Sequence, residues 1–168
     1  LACMPLGDLQ GVRYGAMVES LGRPLQIHAG HELLGWVLDG LGNPIDGGAP
    51  LVDLASFEVQ AEPPHPLRRQ MVDVQLALGV RALDTAVPCG RGQRMGIFAG
   101  SGVGKSSLLS MIARGTEAQV NVIALIGERG REVNEFIQRD LGPEGLARSV
   151  VVVATSDQPA LVRIRASF

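Results

Sequence analysis

Apolar positions along this chain follow two different spacings. Val120–Ile126 and Val150–Ala154 are apolar runs of strand length, and between them Val133, Phe136, Ile137 and Leu141 recur near the helical period. Leu108, Leu109, Met111 and Ile112 keep the same period within Lys105–Arg114, with Gly115 as the expected C-terminal cap. Met95–Ala99 reads as a short buried strand ahead of that helix. The helix marked by Val133 is expected to stop at Gly142-Pro143, and Pro159 opens a last one carrying Leu161, Val162, Ile164 and Phe168. Strands that are apolar on both faces and alternate with helices predict a parallel sheet of βαβ units.

Residues 1–58 have a different texture. Gly15–Glu19, Pro24–His28 and Leu33–Leu38 are short strand-like segments separated by Gly, Pro, Asn and Asp. Asp39–Gly48 is turn chemistry throughout, and residues 61–70 form a Pro-rich extended linker. The chain starts at Leu1 and stops at Phe168 inside an apolar-periodic segment, so it reads as a fragment of a longer protein.

Composition narrows the class. With 46% hydrophobic and only 4% aromatic residues, the core must be built from Val, Leu, Ile and Ala, and disorder is not expected. A net charge of −2 gives no basic surplus of the kind a constitutive nucleic-acid binder carries. No run approaches the ~18 apolar residues that span a bilayer, and the first residues lack the pattern of a signal peptide. Two cysteines without ligand or disulfide spacing fit a reducing compartment. The expectation is a soluble, cytoplasmic protein.

One segment carries specific chemistry. Ala99-Gly-Ser-Gly-Val-Gly-Lys-Ser106 fits the phosphate-binding loop GxxxxGK[ST], with Ala99 in place of the first glycine. Gly100, Gly102 and Gly104 allow successive backbone N–H groups to face phosphate oxygens, and the helix that follows adds its positive end. Lys105 is placed to reach β- and γ-phosphates and the Ser106 hydroxyl to bind Mg²⁺. Ala99, Gly100, Ser101, Gly102, Val103, Gly104, Lys105, Ser106 and Ser107 are the expected nucleotide-binding residues.

A second segment, Gly127-Glu-Arg-Gly-Arg131, sits at the carboxyl end of a predicted parallel strand, where ligands of such sheets collect. Glu128 there suits a carboxylate that orients a water for attack on the γ-phosphate, with Arg129 meeting phosphate oxygens or holding Glu128. The competing reading is a solvated Glu-Arg pair that caps the next helix. Arg131, Glu132, Glu135 and Arg139 read as a solvated helix face, and Asp157, three residues past its strand, as a helix cap rather than a Mg²⁺ site. His28, His31 and His65 read as surface or turn residues, Cys89 as a packed residue, and Trp36 as packing.

These residues together resemble the ATPases of flagellar and type III protein export, relatives of the rotary ATP synthase α and β subunits. The resemblance rests on Leu33–Gly47, on Gly79–Thr85 with Gly90–Phe98, on Ile126–Val133, and on Arg148–Pro159. It implies an α/β, RecA-like P-loop core (residues 27–168, its first part) preceded by the end of a small β-barrel (residues 1–26). Lys105 and Ser106 match the family's phosphate and Mg²⁺ residues, Glu128 its catalytic carboxylate, and Arg129 the adjoining phosphate contact. Further implications are ATP and Mg²⁺ as ligands and a homo-hexamer peripheral to the inner membrane. The implied partners are export-gate, stalk and regulator proteins and chaperone–substrate complexes, without nucleic acid. The family's arginine finger, later Asp-bearing strand and adenine pocket have no counterpart in 1–168, so the isolated fragment is expected to be inactive.

Alternatives remain at this point. A rotary ATP synthase catalytic subunit shares the fold, though Gly130-Arg131 and Thr155–Asp157 look more like the export branch. A non-catalytic nucleotide-binding subunit tends to lose the carboxylate that Glu128 retains. A nucleic-acid translocase gains no support from the net charge. Flagellar and injectisome service are not distinguished.

Overall fold

The structure is a computed structural model, and it describes residues 3–7, 9–47, 54–100 and 102–168. Its strands are β1 (Gln26–Ala29), β2 (Val37–Asp39), β3 (Ala55–Glu58), β4 (Gln75–Leu76), β5 (Cys89–Gly90), β6 (Asn121–Ile126) and β7 (Ser149–Ala154). Its helices are α1 (Arg81–Ala86), α2 (Lys105–Gly115), α3 (Gly130–Glu135), α4 (Gly142–Ala147) and α5 (Ala160–Arg165). The β2, β7 and β6 strands form a parallel sheet with β7 in the middle, so the expected α/β arrangement is present. Val151 explains why β7 takes the centre: it pairs with Val37 on one side and Ile123 on the other, and it is wholly buried. A strand apolar on both faces loses least by being covered on all sides.

The two faces of the sheet are packed differently. Val37, Leu125, Val151 and Val153 meet Ala113 of α2, Val133 of α3, and Phe136 and Leu141 in one core cluster. On the opposite face Leu38 and Val150 join Leu33, with Trp36 packed alongside as expected. That face opens into an apolar cavity of about 510 Å³, bordered by Val122, Val152, Ile27 and Phe168.

Several expectations fail, each for a local reason. The helix after β6 ends at Gly142 as expected, but not as a regular α-helix. α3 passes into wider π-helical turns over Phe136–Leu141, which bring Phe136 and Leu141, five residues apart, into the same core. Gly142 breaks the helix at φ 68°, and Pro143, which lacks an N–H that a first turn would leave unpaired anyway, opens α4 directly after it. Gly115 is the last residue of α2 and not a left-handed cap. Its lack of a side chain serves a close approach, since a Cβ at Gly115 would lie 3.1 Å from the Gly79 Cα. Of the expected apolar face of α2, Leu109 and Met111 are exposed, while Ser110 and Ala113 are buried.

Two expected strands are absent. Gly15–Glu19 is exposed and forms no ladder, and neighbouring backbone bonds such as Ala16 N–H to the Arg13 carbonyl are turns. Apolar alternation makes a strand only where another edge supplies partners. Pro24–His28 is partly realised as β1, which pairs antiparallel with β3. In Leu33–Leu38 a 3₁₀ turn over His31–Leu33 leads into β2. Met95–Ala99 also forms no strand, and Phe98 is 97% exposed. The turn chemistry after β2 does appear: Asp39 accepts from the Leu41 and Asn43 N–H groups at 2.8 Å. Gly48, the end of that expected turn, lies outside the described residues. Among the described residues no helix is long and apolar enough to cross a membrane.

Candidate functional site

The site lies at the carboxyl edge of the parallel sheet, where β6 ends and α2 begins. Past Ile126 the chain reverses through Gly127 at φ 77°, a left-handed conformation that favours glycine. The ladder between β6 and β7 continues beyond the strands. The Gly127 N–H donates to the Ala154 carbonyl at 2.8 Å, and the Ser156 N–H donates to the Glu128 carbonyl at 3.0 Å. Glu128 is thereby held by its backbone at the strand end, with its side chain only 33% exposed.

The other half comes from α2. Gly104, at φ 100°, occupies the position before the helix and offers no side chain to cap it. Lys105 is therefore the first helical residue and Ser106 the second, in a turn whose N–H groups are left for an incoming anion. The Lys105 Nζ donates to Glu128 Oε1 at 3.1 Å. Both side chains are partly exposed, so solvent screens this ion pair and it contributes little to stability. Ser106 and Glu128 also line one small cavity beside Val133 and Phe136.

The structure thus brings Lys105, Ser106 and Glu128 together, joining segments 23 residues apart. Gly100, Gly102, Val103 and Gly104 lie in the loop immediately before them and are exposed, as are Ala99 and the Ser107 side chain. Gly102 has φ 75°, as a phosphate-cradling turn requires. Ser101 lies outside the described residues. Arg129, next to Glu128 and just before α3, is 69% exposed and lies 3.7 Å from the Glu132 carboxylate. Asp157 does not cap α5, because that position belongs to Pro159 and no side chain caps the helix. The neighbouring Thr155 side chain and its own backbone N–H hold the Asp157 carboxyl below the usual aspartate range. His65, expected in a turn, accepts from the Leu67 N–H through Nδ1 at 3.3 Å. The link from Ser156 to Glu128 is the feature that residue patterns missed. Its only signal was the turn chemistry of Thr155-Ser-Asp, which says nothing about which strand the turn meets.

The model of the ATP synthase alpha/beta family, nucleotide-binding domain, matches residues 79–168. A flagellum-specific ATP synthase of Bacillus subtilis is 50% identical over 98% of this chain and 38% of its own length. A type 3 secretion system ATPase of Xanthomonas euvesicatoria is 52% identical over 98% of this chain and 37% of its own length. The assembled ATPase EscN of the enteropathogenic E. coli type III secretion system superposes with a TM-score of 0.86 at 47% identity, covering 98% of this chain and 40% of that one. The chain therefore spans a little over a third of the length of these curated relatives.

Proposed function

We propose, because the chain belongs to the ATP synthase alpha/beta family, that it carries the phosphate-binding half of an ATPase that energises flagellar or type III protein export. The carrying observation is the 3.1 Å contact between Lys105 and Glu128 at the sheet's carboxyl edge, beside the uncapped start of α2. A cation, a hydroxyl and a carboxylate that converge on a helix N-terminus suit a nucleoside triphosphate and a water that attacks it.

In this reading the loop from Ala99 to Ser107 surrounds the phosphates and Lys105 meets the β- and γ-oxygens. The γ-phosphate draws the Lys105 ammonium away from Glu128, which leaves that carboxylate to accept a hydrogen bond from the attacking water. Water oxygen bonds to the γ-phosphorus, the bond to the β–γ bridging oxygen breaks, and its electrons leave on ADP, with Glu128 taking up the water's proton. Ser106 would hold a Mg²⁺ ion, which when bound neutralises charge on the β- and γ-oxygens. The donor set suits an ion that keeps most of its waters: one hydroxyl near one carboxylate, with no cluster of three or more His, Cys, Asp or Glu among the described residues. Arg129 reaches a phosphate only after it leaves Glu132.

Residues 27–168 are read as the first part of the ATPase domain and residues 1–26 as the end of a preceding β-barrel. The assembly proposed is a homo-hexamer in the cytoplasm, peripheral to the inner membrane through export-gate, stalk and regulator proteins, that acts on chaperone–substrate complexes. One relative's structure is that of an assembled ATPase with its central stalk, which supports the ring and stalk parts of that reading. Relatives of both flagellar and secretion-system name match equally well, so the reading covers both.

The test is Glu128→Gln in the complete protein. It keeps size and hydrogen bonding but removes the charge, so ATP affinity should stay within about tenfold while turnover falls at least ~10²-fold. Loss of affinity in step with turnover would make Glu128 a structural residue and overturn the assignment.

A further inference from the structure

α2 runs from the site toward the opposite edge of the sheet, and β6 runs back. Lys105 opens the helix and Glu128 follows the strand, so these two meet at the near edge. At the far edge the Asn121 side-chain amide donates to the Ala113 carbonyl at 2.8 Å. The ordinary helical donor to that carbonyl is the Glu117 N–H, which turns away to the Ala77 carbonyl at 3.0 Å. Asn121 is itself held in place. Its backbone N–H donates to the Arg148 carbonyl at 3.0 Å, and its side-chain amide also reaches Ser149 Oγ at 3.4 Å. Ser149 is wholly buried and donates to the Gly145 carbonyl at 2.6 Å.

Apolar packing does little to fix where α2 lies along its own axis. Ala113 is what the helix contributes to the core cluster, Ser110 is its other buried residue, and Leu109 and Met111 are exposed. Burial of such small side chains is non-directional, whereas a hydrogen bond has a preferred distance and angle. We infer that Asn121 is a positioning residue for Lys105: by pinning the Ala113 carbonyl to the first residue of β6, it sets how far α2 reaches toward the strand end that carries Glu128. The inference rests on the reading of Lys105 as the phosphate-binding cation. Between Ala113 and Lys105 the helix is a continuous rod of roughly 12 Å, so a slip at the pinned end is carried to Lys105. A misplacement of about 1 Å is enough to cost much of a rate that depends on alignment. Asn121 itself touches neither phosphate nor water in this scheme.

The experiment measures kcat/KM for ATP and the urea unfolding midpoint of the complete protein for Asn121→Asp and Asn121→Ala, each alone and combined with Lys105→Ala. Asn121→Asp keeps the shape and removes the donor, while Asn121→Ala does so without placing a charge against a carbonyl. Each should lower kcat/KM by about tenfold when Lys105 is present. With Lys105→Ala as the background the same changes should cost less than about twofold, because the group they misplace is gone. Their shift in unfolding midpoint should be the same in both backgrounds, so a merely structural role would multiply the rate losses and a positioning role would not. Near-wild-type kcat/KM in both single variants, or equal losses with and without Lys105, would overturn the proposal while Lys105→Ala alone remains impaired. Full turnover in Lys105→Ala would instead overturn the reading of the site and this inference with it.

Discussion

Lys105 and Glu128 meet at 3.1 Å, yet the segments that carry them are tied down to very different degrees. Glu128 follows a six-residue strand paired residue by residue with β7, and two further backbone bonds extend that ladder on either side of it. The loop before Lys105 follows Met95–Ala99, which forms no strand and leaves Phe98 almost fully exposed. From Lys105 onward the chain is helical, and α2 is fastened at its far end. The Asn121 side chain donates to the Ala113 carbonyl at 2.8 Å, and Arg148 donates to the Thr116 and Ala118 carbonyls. One half of the site is thus positioned by a sheet and the other by the fixed end of a helix. The geometry of the site therefore depends on contacts remote from Lys105 and Glu128 on both sides.

Four measurements sharpen that contrast. The largest effect is expected at the helix half: Lys105→Ala in the complete protein should lower ATP turnover on the order of 10³-fold, since in the proposed reading it removes a charge aimed at the transferred phosphate. Near-wild-type phosphate release from that variant would remove the loop from the chemistry. The sheet half should respond in stability. Val151→Ala deletes two methyl groups at the wholly buried centre of β7 and should cost about 2 kcal/mol in urea denaturation of this chain. Phe98→Ser, in the segment without a ladder, should by contrast stay within about 0.5 kcal/mol. Equal losses from the two would mean that Met95–Ala99 is packed as firmly as β7.

The smallest effect concerns pH. Asp157 has a carboxyl pKa lowered from 3.8 by the Thr155 side chain and its own backbone N–H. A depressed folded-state pKa means that the ionised carboxylate stabilises the turn above the ordinary aspartate value, and that this contribution is lost as pH falls through the lowered one. The Asp157 carboxyl resonance should therefore titrate below 3.8, and Thr155→Val should move its midpoint back toward that value. An unmoved midpoint would show that Thr155 is not the donor.

Gly100–Ser106, Glu128 and the continuous apolar runs of β6 and β7 could be read from residue types and spacing. Each depends on short-range chemistry: glycines that permit positive φ, a lysine and a serine in a helix's first turn, and valines that favour a buried pleat. Tertiary structure alone decided which runs became strands. Val150–Ala154 and Met95–Ala99 are both apolar and of strand length, but only the first has partner edges, supplied by Val37–Asp39 from more than a hundred residues away and by Asn121–Ile126. It also decided that Phe136 and Leu141 would share one core through π-helical turns, and that Ser156 would meet Glu128. A strand is a relation between two segments, and so is a hydrogen bond that positions a carboxylate. The residues of one segment carry its propensity, while the partner that completes the bond is chosen only when the whole chain packs.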